Sequence, residues 1–279
     1  MRKTYLFCAL IYSLLLSGCA QSIGAEDSIS NSNAEDIPEV ILPFDSTIST
    51  IHIFVALCDN KYQGIVPVPA KIGNGQDPDN NLYWGCAYGV RTFFKKSREW
   101  KLIRSQKVDS IKLERLLFKH VTENYYLIAD AYDGQYIKRC TKDFLKSSSG
   151  QMRDTLRVDS LALGIAGNSK LVAYIGHNGL MDFSLTESYQ NEDGKDRNAI
   201  ILACYSKSYF SEYLHSANTN ALVWTTGLMC PEAYTIHDAI SGYVLGETDE
   251  QIRARAAKAY STYQKCSVNA ARNLLVTGQ

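Results

Sequence analysis

Long apolar stretches are missing from this 279-residue chain. The apolar run from Tyr5 to Leu16 falls short of the roughly 20 residues that a membrane-crossing helix needs, so no spanning helix is expected. Charge of one sign is also missing. Lys and Arg total 29, Asp and Glu total 29, and no basic run stands out, which argues against a nucleic-acid partner. Metal signatures are absent too. There is no CxxC and no zinc-like pairing of Cys with His. Asp77 and Asp79 sit in a turn-rich loop, Gly73 to Asn81, that lacks the spacing and closing Glu of an EF-hand. No Gly-Lys-Ser/Thr follows its glycines, so it is no phosphate loop. No cofactor or metal is expected, and no internal repeat is visible. What remains is the composition of an ordinary globular protein, 46% hydrophobic and 21% charged, long enough for one large core or two small ones.

The N-terminus has its own pattern. Arg2 and Lys3 precede the Tyr5–Leu16 run, which closes on Leu16-Ser17-Gly18-Cys19. This tetrapeptide resembles a bacterial lipobox, in which small residues admit the lipoprotein signal peptidase and the following cysteine is diacylated. Residues 1–18 are then a signal peptide. Residues 19–47 are the lipidated Cys19 and a flexible tether, polar from Ser22 to about Glu39. Residues 48–279 form the folded domain. The expected location is the cell envelope, with the lipid holding the chain on a bacterial membrane, facing the periplasm or the cell surface. That compartment permits disulfides. Even so, Cys58, Cys86, Cys140, Cys204, Cys230 and Cys266 are irregularly spaced and point to no specific bridge. Most read as buried structural thiols.

Short runs rich in β-branched and aliphatic residues predict strands at Thr50–Cys58, Asn124–Tyr132, Lys170–Ile175, Asn198–Ala203 and Ala221–Gly227. Helical patterns lie between them: Tyr88–Lys96, Ser110–His120, Gln135–Leu145, a short stretch at Leu156–Leu163, and Ser208–Ala217. Three more close the chain: Pro231–Leu245, a helix capped by Thr248 with Gln251, and one capped by Ser267. Residues 61–90 form a long loop broken by Gly and Pro, a length that is often functional. Its aromatics Tyr83, Trp84 and Tyr88 either pack on the domain or line a pocket. Alternating strands and helices predict an α/β fold, a three-layer sandwich around a mainly parallel sheet with C-terminal helices.

Two of these strands end on reactive side chains. Tyr174-Ile175-Gly176-His177-Asn178-Gly179 ends on a histidine, and Ile201-Leu202-Ala203-Cys204-Tyr205-Ser206 on a cysteine. Ligands of open α/β sheets sit outside the carboxyl ends of the strands. If the two strands are parallel neighbours, an imidazole and a thiol meet at that rim, the arrangement of a nucleophile with its base. His52, His120, His215 and His237 read as packing or surface residues.

The order strand, His, strand, Cys resembles the clan CD cysteine peptidases: caspases, legumains, gingipains, clostripain and separases. Val223-Trp224-Thr225-Thr226-Gly227 is similar to the strand that follows the cysteine in legumain-like members. The resemblance spans roughly residues 48–240 and implies a caspase-like fold and peptide or protein substrates. It implies that Cys204 attacks the substrate carbonyl and His177 acts as acid and base, with the backbone amides of Gly179 and Cys204 holding the oxyanion. The chain departs from the family in placing Asn178 between His177 and the glycine. The family sets its first specificity pocket partly just beyond the first strand. Asp59 stands there and would favour Arg or Lys at the cleavage site, with Asp130 and Asp133 as rivals. Papain-like and NlpC/P60-like hydrolases have Cys before His, with the Cys at a helix start. A second reading is a non-catalytic envelope lipoprotein of the same fold, with the 61–90 loop as its contact surface.

The lipid assignment has a direct check. Cys19→Ser should move the expressed chain from the detergent phase to the aqueous phase in Triton X-114 partitioning and abolish incorporation of labelled palmitate.

Overall fold

Strand β1 (Ser49–Ala56) is buried along nearly its whole length because neighbours flank it on both sides of a sheet. The computed structural model describes residues 43–278. In chain order, β1 is followed by α1 (Val90–Lys96), β2 (Trp100–Gln106), β3 (Lys112–His120), β4 (Tyr125–Tyr132), α2 (Ile137–Ser148), β5 (Arg153–Val158), β6 (Leu161–Ala166) and β7 (Leu171–Ile175). Then come β8 (Arg197–Leu202), α3 (Ser206–Ser216), β9 (Thr219–Thr225), α4 (Ala233–Val244), α5 (Asp249–Gln264), α6 (Val268–Leu274) and β10 (Leu275–Val276). The main sheet has eight strands in the order β10-β9-β8-β7-β1-β4-β3-β2. Its five central strands are parallel; β3, β2 and β10 add antiparallel pairings at the edges.

Alternation along the strands divides the core in two. Ile51, Ile53 and Val55 of β1, Ala173 and Ile175 of β7, and Ile200 and Leu202 of β8 pack on one face with α1, α4 and α5. Phe54, Tyr174 and Ile201 face the other side, where Phe144 of α2 and Phe210 of α3 meet them. The hairpin β5–β6 covers the rest of that second face, over Leu117 and Ile128. Layers of helices on both faces of a large, mainly parallel sheet, with helices closing the chain, are what the alternating pattern predicts. Phe44 to Thr47, expected in the tether, already touch the domain: Asp45 N–H donates to Ala162 O at 2.8 Å, and Asn124 Nδ2 to Thr47 O at 3.1 Å.

Two expected helices are strands. Ser110–His120 has apolar residues at helical spacing, yet it forms β3. Leu116 and Phe118 enter one core and Leu117 the other, so the run is buried on both faces and shows no alternation. Pairing with β4, Leu116 opposite Ala129 and Leu117 opposite Ile128, decides what local pattern leaves open. The expected Leu156–Leu163 helix is the hairpin β5–β6. Val158 pairs with Leu161 around Asp159, which takes φ 52°, the left-handed conformation that tight hairpin turns use. The period-2 pattern of Leu161, Leu163 and Ile165 outweighs the helical reading. By contrast, Thr248 and Gln251 do form the reciprocal capping box of α5, and Ser267 caps α6.

A buried ionic cluster ties β1, β3 and β4 together. Arg115 donates to both oxygens of Asp130, at 2.6 and 2.7 Å, and His52 Nε2 lies 3.1 Å from Asp130 Oδ2. His52 Nδ1 accepts from Ala166 N–H at 3.0 Å, so the ring is held neutral with its proton on Nε2. Burial pushes the His52 pKa below the ordinary histidine value, against the pull of Asp130. Asp130 stays ionised far below the usual carboxylate range because Arg115 and His52 outweigh its own burial. Asp130, a rival for substrate recognition, is therefore a structural anchor inside the fold.

The sign of the His52 effect follows from linkage. Its folded pKa lies below its unfolded one, so the unfolded chain takes the proton first and stability declines as pH falls below about 6.5. Urea unfolding between pH 7.5 and 5 should show this decline, and His52→Gln should flatten it while leaving the acid sensitivity below about pH 4 that Asp130 contributes.

Candidate active site

The parallel strands read 4-1-7-8-9 across the sheet, with β1 between β4 and β7. The chain leaves β1 toward the α1 face and leaves β7 toward the opposite face, where Leu180, Phe183, Leu185 and Tyr189 pack. This divergence makes a crevice at the carboxyl ends of β1 and β7, the usual ligand position in open α/β sheets. A cleft of about 430 Å³ lies there. Its lining includes Gly64, Ile65, Val66, Val68, Leu82 and Tyr83 from the 61–90 loop, His177, Cys204, and the Leu228–Glu232 segment after β9. Val66 is 88% exposed and Leu228 68%, so two large apolar side chains stand at its rim.

Register brings His177 and Cys204 to the same level. Ile175 of β7 pairs with Leu202 of β8, and each reactive residue follows two positions later. Gly176 makes the bend before His177. Its φ is +145°, and a Cβ there would press on the Ala56 carbonyl at 2.7 Å, so only glycine fits between β7 and β1. His177 Nε2 is 2.8 Å from Asp182 Oδ2. With that nitrogen engaged, Nδ1 is the one left to exchange protons. Asp182 also accepts from Gly64 N–H at 2.9 Å, and a side chain on Gly64 would overlap its carboxylate. The loop after β1 thus closes on the group that orients the histidine.

Cys204 lies in the turn from β8 into α3, followed by Tyr205 with φ 50° in the left-handed region. That turn is fixed on every side. Thr225 Oγ1 donates to Ala203 O and accepts from Ser206 N–H at 3.0 Å, and Tyr205 N–H donates to Gly227 O at 2.8 Å. Asn178, fully buried, donates from Nδ2 to Cys204 O at 2.7 Å while its Oδ1 accepts from Leu180 N–H at 3.1 Å. One amide therefore clasps the histidine loop to the cysteine loop. The Cys204 sulfur is 3.4 Å from Met229 N and 3.6 Å from Met229 O: as a thiolate it accepts from the amide, as a thiol it donates to the carbonyl. The start of α3 behind it adds the positive end of a helix dipole. Cys204 thus stands just before a helix, a feature the sequence reading assigned to the papain-like enzymes; the chain order of His and Cys still separates the two arrangements.

The structure brings together two of the expected site side chains and leaves the others elsewhere. Gly179 is buried, its N–H faces the Tyr174 hydroxyl, and its Cα lies against Phe183 and Ile137; it does not line the cleft. Asp59 caps its own turn, accepting from Lys61 and Tyr62 N–H at 2.8 and 3.1 Å. Asp133 caps the short helical turn before α2 and, like Asp59, accepts from Gln76 Nε2. None of the three expected carboxylates lines the cleft. The carboxylate that does is Glu232, held by Tyr234 Oη at 2.9 Å and Gln264 Nε2 at 3.3 Å, with its pKa raised by burial. Among the loop aromatics, Tyr83 lines the cleft, Trp84 is buried and donates to Glu114, and Tyr88 packs on Tyr234 and Tyr263. The sequence reading missed Asp182, Asn178 and Glu232. A carboxylate five residues past His177 was a visible signal for the first; the roles of the other two arise only from folding. Cys19 lies outside the described residues. Among the described residues no cluster of His, Cys, Asp or Glu is arranged to hold a metal ion.

Compared with known proteins, the chain matches no protein-family model, no curated protein and no solved structure.

The Asn178 clasp predicts a stability cost. Asn178→Ala leaves the half-buried Cys204 carbonyl without its donor and should lower the unfolding free energy by about 1–3 kcal/mol. Asn178→Asp, which turns a carboxylate toward the Cys204 carbonyl, should cost at least as much in urea titration.

Proposed function

We propose that this chain is a lipid-anchored cysteine endopeptidase of the bacterial cell envelope, with a caspase-like fold and a His177–Cys204 dyad. The observation that carries the reading is the matched ending of β7 and β8: imidazole and thiol reach one apolar cleft from equivalent positions on adjacent parallel strands. Oriented acid–base groups beside a nucleophile are what acyl transfer requires.

The chemistry follows from the contacts. The Cys204 thiolate attacks the carbonyl of a peptide lying along the cleft. His177 Nδ1 gives its proton to the leaving amine and then takes one from the water that releases the acyl group. Asp182 holds the ring through Nε2. The Cys204 N–H has no acceptor among the described residues and can hold the oxyanion, an interaction that can be worth about 3 kcal/mol. Apolar side chains of the substrate meet Ile65, Val68, Leu82 and Met229, and a basic residue meets Glu232, which takes the role first expected of Asp59.

The test is cysteine reactivity. Low-dose iodoacetamide between pH 5 and 9, read by peptide mass spectrometry, should label Cys204 first at the acidic end. His177→Ala should slow that labelling about 10- to 100-fold near pH 6. Cleavage of peptides carrying Arg or Lys should then fall with Glu232→Gln. If Cys204 labels no faster than Cys86 or Cys230, the peptidase reading fails. The non-catalytic lipoprotein, with the 61–90 loop as its contact surface, then stands.

A further inference from the structure

The cleft holds two thiols. Among the six cysteines of the described domain, only Cys204 and Cys230 line it. The others are placed differently. Cys58 and Cys140 are buried, and burial pushes the Cys58 thiol up to about 11 and the Cys140 thiol well above its ordinary value. Cys86 donates to the Asn80 carbonyl, and Cys266 lies in the turn between α5 and α6. The Cys204 sulfur touches both backbone atoms of Met229, the residue bonded directly to Cys230. Ordinary peptide geometry then puts the Cys230 Cα within about 6.5 Å of that sulfur. Cys230 is exposed, although partial burial raises its thiol above the ordinary cysteine value.

We propose that Cys204 and Cys230 form a reversible oxidation site, in which Cys230 captures a sulfenic acid formed on Cys204. The oxidant is a peroxide. The Cys204 thiolate attacks one peroxide oxygen, the O–O bond breaks, sulfur is oxidised to sulfenic acid and hydroxide leaves. The Cys230 sulfur then attacks the sulfenic sulfur. The S–O bond breaks, a disulfide forms, and the oxygen leaves as water with the Cys230 proton. A dithiol reductant reverses the step.

The geometry favours this pair over further oxidation of Cys204 alone. Capture needs a second thiol that arrives without moving a strand, and the loop bearing Cys230 already lies against the sulfur. The disulfide would span the cleft floor and remove the nucleophile, whatever the cleft binds. The proposal is independent of the peptidase reading, because its readout is the covalent state of two sulfurs.

Full-length reduced protein treated with hydrogen peroxide, alkylated and digested with trypsin under non-reducing conditions tests it. Cleavage after Arg197, Lys207 and Arg253 separates the two cysteines, giving residues 198–207 and 208–253. The expected main product is these two peptides joined, lighter than their sum by two hydrogens, and separated again by dithiothreitol. The link should be lost when the protein is oxidised in denaturant. In Cys230→Ser, Cys204 should instead advance to sulfinic acid. The proposal is overturned if, in the peroxide-treated unmutated chain, Cys230 remains free while Cys204 becomes sulfinic acid. It is equally overturned if Cys230 pairs with Cys86 or Cys266, or if neither thiol reacts. The unmutated chain decides between these outcomes even if the serine variant folds poorly.

Discussion

The parallel pairing of β7 with β8, Ile175 opposite Leu202, is the constraint on which the site depends. Side chains alternate along a strand, so a slip by one residue would send His177 and Cys204 to different levels and different faces. The register is held by burial on both sides. Ala173, Ile175, Ile200 and Leu202 enter one core, and Val172, Tyr174, Ala199 and Ile201 the other. Shifting either strand would misplace every one of these contacts. Local bonds then continue the pairing beyond the strands: Gly176 N–H donates to Leu202 O at 3.2 Å, and Asn178 grips the Cys204 carbonyl.

The loops around this pair are tied down by hydrogen bonds for a physical reason. Both reactive residues follow strands that end in buried surroundings, where backbone groups without partners are costly. The fold meets that cost with short polar side chains from neighbouring elements: Thr225 and Ser206 beneath the cysteine turn, Asn178 between the loops, and Gln63 and Asn81 in the loop after β1. The cleft keeps large apolar side chains, Val66 and Leu228, open to solvent at its rim. Such a site is held in place at its polar groups and open in its contact surface.

Buried charge is handled separately. The Arg115–Asp130–His52 cluster lies among β1, β3 and β4 and lines no part of the cleft, and each member has a partner. Clusters of this kind fix which strands pair, because any mispairing would strand a charge in the core. Asp130 shows why a carboxylate near a strand end is weak evidence for substrate binding: the same residue type serves structure when a guanidinium is opposite.

The sequence by itself determined the alternation of strands and helices, the caps of α5 and α6, and the two reactive residues at strand ends. Those features are local: period, capping pairs and strand-terminal small residues are all written within a few positions. Only the tertiary structure decided that Lys112–His120 is a strand, since an apolar run buried on two faces looks the same in either state, and that 153–166 is a hairpin, whose one apolar face packs over Leu117 and Ile128. It also decided the site's surroundings. Asp182 meets Gly64, Asn178 meets Cys204 and Glu232 meets Gln264, partners 118, 26 and 32 residues away, and Gly179, adjacent in sequence, turns its amide away from the cleft. Residue type near a reactive group is legible from the chain; the direction a group faces depends on what packs behind it.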